Sequence, residues 1–343
     1  GTDKTGDFST ITWGGDIHFL KVEIDPAGGT SYVEMGTTQL LSVPYALHAK
    51  TAGTSISSNN RAQELIVARN GGDAITLSDA IDKLLGQGAY SGVGALAPAP
   101  SISNQWVIEI KSGNYSEPGT FGGSGVVVIP NWVTVRGQGW NSTELVVNSI
   151  SLAGTGRALE SVLVLCTSGN PVISMNSSYY SYIRECKIEA SSPNRVIDMN
   201  NSYYCDIIDN FIYILPGATS ATGIYIPQIT DVRIENNTID FRNNLTGCYG
   251  IWDAGNGFSG TSGVYILENT IIYSTDESAS GSVGISVAKS LGSQSGRISF
   301  NTFNLGNVAF DIDDSTTPGL QLPSGGPNGI CNMSSSGYEI TAF

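Results

Sequence analysis

Three aspartates crowd the stretch Phe310-Asp311-Ile312-Asp313-Asp314. Side chains alternate along a strand, so Asp311 and Asp313 would share one face about 7 Å apart. That spacing suits a carboxylate pair for acid/base work or, with Asp314, a calcium site built from oxygens. The plainer reading, and the favoured one, is a solvated strand face running into the turn Ser315-Thr316-Thr317-Pro318-Gly319. Apart from calcium at these aspartates, no cofactor is expected. Tyrosines offer a second chemistry. Tyr179-Tyr180 and Tyr203-Tyr204 recur 24 residues apart, and a row of exposed Tyr is a platform for sugar rings, with hydroxyls that hydrogen-bond. The competing reading is an internal aromatic ladder that only stabilises the fold, and the sequence favours it. Tyr213, Tyr225, Tyr249, Trp252 and Tyr273 are further binding candidates; Tyr179, Tyr203, Tyr249 and Trp252 are the four singled out. The two histidines, His18 and His48, lie in the first 50 residues, so His-dependent chemistry is excluded from the rest of the chain. None of the five cysteines sits in a C-x-x-C pair, so they read as small buried residues rather than metal ligands.

Composition narrows the partners. Lys and Arg total 16 against 30 Asp and Glu in 343 residues, a net charge of −14. A nucleic-acid binder needs a basic face, so that class is excluded. No apolar run approaches the length of a membrane span. Charged residues are only 13%, Gly numbers 42, and Ser, Thr and Asn fill the polar remainder, which favours short strands and tight turns over helices.

The elements that must hold these residues are repeats. Asn170–Ile183 and Asn194–Ile207 share nine of fourteen residues in register. A second pattern recurs as Cys186-Lys187-Ile188, Asn210-Phe211-Ile212, Asn237-Thr238-Ile239, Asn269-Thr270-Ile271 and Asn301-Thr302-Phe303, at steps of 24, 27, 32 and 32. Such a period predicts a coiled stack of parallel strands, each turn burying its inward side chains against its neighbours. Asn at the repeated corner can adopt the left-handed conformation and bond its counterparts in adjacent turns. The growing steps place inserted loops in later turns. One helix is expected at Asp79–Leu85, capped by Ser78 and stopped by Gly86, either as a lid or as a surface helix. The chain therefore divides into a small β module (1–52), a polar linker (53–63) and a repetitive body (64–343).

Two resemblances follow. Asp79-Ala80-Ile81, then Trp106–Glu117 with its I-E-I-K-S-G-N-Y-S-E pattern, then Val133-Thr134-Val135-Arg136-Gly137-Gln138-Gly139, resemble the opening of pectin-lyase-like proteins, most of all pectin methylesterases. The resemblance covers roughly residues 64–343 and implies an all-β fold, a single-stranded right-handed parallel β-helix with a short capping helix. The family's catalytic motifs, of the kinds Q-A-V-A-L, Q-D-T-L, D-F-I-F-G and L-G-R-P-W, do not occur in this chain. Gly6-Asp7-Phe8-Ser9-Thr10-Ile11-Thr12-Trp13, then Phe19–Asp25, then Met35–Lys50 resemble the later part of a module on secreted surface proteins of Bacteroidetes-type bacteria. That likeness implies an extracellular or cell-surface location and a module lacking its upstream strands.

The expected function is a non-catalytic extracellular structural protein, an adhesin or a self-assembling filament subunit. The alternatives are a polysaccharide-degrading or tailspike-like β-helix enzyme, and a carbohydrate-binding module without assembly. The expected partners are other copies of the chain, joined head to tail, and a polysaccharide. Phe19, Val22, Leu40 and Leu41 in the module and Tyr338, Ile340 and Phe343 at an uncapped last turn are the expected assembly residues.

Overall fold

A computed structural model of the chain describes residues 19–39, 63–119, 125–166, 168–191, 193–215, 220–242, 247–252, 264–273, 283–286, 297–304, 329–334 and 337–339. The chain divides into two units, residues 1–62 and 63–343. In the first, Phe19–Ile24 and Val33–Gln39 pair antiparallel as a two-stranded hairpin.

The second unit is a parallel β-helix, as the repeat predicts. One turn runs through three short strands, such as Asp206–Ile208, Phe211–Ile214 and Thr222–Tyr225. Each strand pairs in parallel with its equivalent one turn away, so three columns form, the third of them seven-stranded. The register matches the sequence repeat: Ile173 lies opposite Ile197. In the third column Val127, Ile150, Ile173, Ile197, Ile224, Ile251 and Ile285 form one inward file, and each is at most 1% exposed. The first column contributes Ile108, Val135, Leu159, Ile183, Ile207, Ile234 and Ile266 in the same way. β-Branched side chains suit these files because they stack on a pleated surface with little rotamer freedom to lose. Each fully buried one contributes roughly 1.5–3 kcal/mol, but only once the next turn covers it.

The corner asparagines do form a ladder. Asn210 donates through N–H and Nδ2 to Asn237 Oδ1 at 3.0 and 2.9 Å, Asn237 likewise to Asn269, and Asn269 to Asn301. The second amide hydrogen of each goes to a carbonyl in the turn before, as from Asn237 Nδ2 to Ile207 O at 2.8 Å. Cys186 occupies the first position of the ladder, its N–H bonded to Asn210 Oδ1 at 2.9 Å. The left-handed residue is not the asparagine, however. It is the residue before it: Glu185, Asp209, Asn236 and Glu268, with φ of 53, 58, 53 and 56°. That twist turns the next side chain inward, where it must find polar partners, and the ladder supplies them.

The helix spans Leu77–Leu85 and buries Leu77, Ala80, Ile81 and Leu84 in the common core, as a lid rather than a surface helix. Its cap is Thr76, which accepts from Asp79 N–H, with Gly86 at the left-handed end. Ser78, the expected cap, lies inside the helix instead. Its hydroxyl and N–H, with the N–H of Leu77, donate to the buried carboxylate of Glu117 at 2.8–2.9 Å. At the other end the strand Arg297–Asn304, which continues the first two columns, is covered. Gly329–Ser334 pairs antiparallel with Arg297–Asn304, and Gly337–Glu339 pairs with it in turn. Tyr338 thus stands opposite Met333 of its own chain, on a strand paired along one edge. Leu40, Leu41, Ile340 and Phe343 lie outside the described residues.

Candidate ligand-binding corner

Between the third and first columns the chain turns through two left-handed positions. In successive turns the second of these is Trp132, Gly156, Tyr180, Tyr204 and Asp231, with φ of 51–63°. Left-handed backbone costs a non-glycine residue about 1–2 kcal/mol, and here it aims large rings away from the core. Tyr180 and Tyr204 stack with centroids 5.1 Å apart and planes 9° off parallel. Tyr179 and Tyr203, one residue earlier, stack at 5.0 Å and 12°. Backbone bridges joining Thr155, Tyr179 and Tyr203 hold this second row in register, and Tyr203 Oη donates to Asn201 at 2.8 Å.

The rings face outward, with Tyr179, Tyr180 and Tyr204 exposed by 39, 58 and 49%. The internal ladder favoured from sequence is therefore not what these pairs form. An internal stack exists elsewhere: Phe241 and Tyr273, parallel at 5.0 Å and at most 1% exposed. Tyr273 is thus a core residue, its hydroxyl bonded to Cys248 O at 3.3 Å, not a surface ligand group. Sequence alone cannot separate the two cases, because both recur at the repeat spacing. The backbone separates them: Tyr180 and Tyr204 are themselves left-handed, whereas Phe241 and Tyr273 end regular strands.

Further along the row, Trp132 lies with its ring over Gly156, where a Cβ would collide with it. Glycine at this position leaves room for the indole. Trp132, Tyr180 and Tyr204 thus continue one aromatic row over three turns, about 14 Å at ~4.8 Å per turn. Trp132 was not among the residues singled out; its place in the left-handed column is the signal that finds it.

Tyr249 and Trp252 form a second cluster, on the third column. Their rings stack at 4.7 Å and 19°. Trp252 meets the buried Tyr225 edge-on at 5.3 Å. The Arg195 guanidinium lies 3.6 Å over the Tyr225 ring and pairs with the buried Asp198 at 2.8 Å. This cluster is half-buried and self-satisfied, whereas the tyrosine corner is exposed, with the edges, hydroxyls and end faces of its stacked pairs open.

The outer face of the first column carries Glu109, Arg136, Glu160 and Arg184 side by side in alternating charge. Arg136 pairs with Glu160 at 2.6 Å, and Tyr182 Oη donates to the same carboxylate at 2.6 Å. The Glu160 hydrogen bond holds the Arg136 guanidinium above its usual range. Asp311, Asp313 and Asp314 lie outside the described residues. Among the described residues no cluster of three or more His, Cys, Asp or Glu could hold a metal ion. Cys166, Cys186, Cys205 and Cys248 are buried. Burial pushes the Cys186 thiol up to about 12 and that of Cys205 up to about 11. No helix among the described residues is long and apolar enough to cross a membrane.

Several solved structures are similar in fold. Pectin methylesterase from carrot matches at 16% identity over 66% of this chain and 74% of that one, with a TM-score of 0.40. PfbA, a surface adhesin of Streptococcus pneumoniae, matches at 11% over 70% and 78%, with a TM-score of 0.30. ORF18 of Geobacillus virus E2 matches at 9% over 94% and 81%, with a TM-score of 0.29. No family model and no curated protein matches the chain.

Proposed function

We propose that this chain is a non-catalytic extracellular binding protein, an adhesin whose β-helix presents the tyrosine corner to a polysaccharide. The observation that carries the reading is the pair of exposed, parallel tyrosine stacks. Stacked in file, the rings leave their outward edges, their hydroxyls and the end face of each pair to a sugar, which can take CH–π contact at the end faces and hydrogen bonds from the hydroxyls along the row. The stacks are built before any ligand arrives, so little side-chain entropy remains to be lost on binding. The missing catalytic strings support a binding role over turnover. Affinity electrophoresis through a panel of polysaccharides tests it. At least one polysaccharide should retard the chain, and Tyr180→Ala/Tyr204→Ala should weaken that binding tenfold or more, about 1.4 kcal/mol. Reducing or unsaturated ends released from the same polysaccharide would overturn the non-catalytic reading.

A second role, self-assembly, is supported by the N-terminal hairpin. Phe19, Leu20, Val22, Ile24, Val33 and Met35 are each more than half exposed. A two-stranded hairpin is marginal alone and recruits further strands along its edges.

A further inference from the structure

We infer that the aromatic corner contains an anion subsite at Arg157, so that the glycan it takes carries carboxylate or sulfate groups; this rests on the glycan-binding reading and names the class of glycan. Position in the β-helix makes Arg157 anomalous. It sits between Gly156 and Ala158, and Ala158 pairs with Thr134 and Tyr182. Its equivalents in neighbouring turns are therefore Val133, Ser181, Cys205 and Val232, each at most 1% exposed. These positions point into the core, and one turn places an arginine there. Its guanidinium folds back toward the corner, where Nε donates to Asn131 Oδ1 at 2.9 Å. Gly154 makes the space: a Cβ there would lie 2.5 Å from both Nε and Nη2. Nη1 is buried with no hydrogen-bond partner, although the residue as a whole is only half-buried. Burial pushes the group down to about 10, still charged at neutral pH.

A buried cation with an unspent donor is costly, and a bound anion offsets that cost. The guanidinium is a planar fork suited to carboxylate or sulfate oxygens. Its backbone neighbours are those of the aromatic rows. Gly156 N–H donates to Tyr179 O at 2.8 Å, and Tyr179 N–H to Gly154 O at 2.7 Å. The guanidinium leans toward Asn131, on the Trp132 side of this turn, so a sugar chain running along the corner from the tyrosines to Trp132 would bring an acidic substituent to Arg157. The net charge of −14 repels polyanions at large, so any preference for them must be local to such a site.

Two measurements test this. In amide and guanidinium NMR of the full chain, sodium sulfate and sodium acetate should give saturable shifts at Gly154, Gly156 and Arg157 Nε. Arg157→Met, which matches its apolar column neighbours, should abolish them, and Arg157→Lys should weaken them. Dextran, carboxymethyl-dextran and dextran sulfate of equal length then compare neutral and charged chains. Tenfold tighter binding of a charged chain, lost in Arg157→Met, is the expected result, and the preferred derivative identifies the group. No saturable anion shift, or equal binding of neutral and charged chains, overturns the inference but not the glycan reading. If inorganic sulfate shifts Arg157 and no glycan of any charge binds, both fail.

Discussion

Glu117 shows how one side chain can join two elements. It follows the strand Gly113–Ser116 and receives both N–H groups at the start of the lid helix, plus the Ser78 hydroxyl. Glu117→Ala leaves three buried donors unpaired at about 1–3 kcal/mol each, so the urea midpoint should fall by the equivalent of about 3 kcal/mol or more. Glu117→Gln keeps one acceptor and should lose less. Its place in the I-K-x-G-x-Y-x-E pattern was legible in the sequence; its partner was not, because the helix lies 39 residues away. The buried thiols make a second residue-scale prediction. Cys186 titrates near 12 when folded against an ordinary value of 9.0. The unfolded chain releases that proton first, so the stabilisation is complete below pH 9 and is lost as the pH rises toward 12. Alkaline unfolding should steepen in that window, and Cys186→Ala should reduce the slope by up to about 1.4 kcal/mol per pH unit.

The asparagine ladder belongs to the element scale, since each member matters through its neighbours. Asn237→Ala removes the acceptor for two donors of Asn210 and the donor to Ile207 O. With partners buried on both sides, thermal unfolding should report a loss of about 3 kcal/mol or more. Cys186→Asn lengthens the ladder by one turn and should leave stability unchanged or raised. The ladder was legible because polar residues at fixed spacing stand out from an apolar file. The left-handed residue before it was not, because Glu185, Asp209, Asn236 and Glu268 are ordinary polar residues, and two of them are glutamates with no particular preference for that conformation. Their backbone angle comes from the parallel stacking of whole turns. The antiparallel cover of the last turn escaped the repeat for a related reason: Gly329–Ser334 departs from the period and pairs against it.

At the scale of the whole molecule, the β-helix follows from periodicity, and the candidate site follows from where the periodicity bends. Identical Tyr-Tyr pairs in successive turns revealed the stacks but not their outward direction. Trp132 and Arg157 were invisible because each occurs once, in a position whose repeats carry different residues. The hairpin predicts a second molecular property: light scattering should show self-association of the intact chain, reduced in Phe19→Ser/Val22→Ser, and a monomer in both would remove the assembly role. The central claim is that ligand meets protein at the tyrosine corner. Hydroxyl-radical footprinting with the polysaccharide that binds most tightly tests this most directly. The account predicts protection of Tyr179, Tyr180, Tyr203 and Tyr204, with Tyr182 on the charged first column unchanged. Protection confined to Tyr182 and that column, with the four corner tyrosines still oxidised at the free-protein rate, would contradict it.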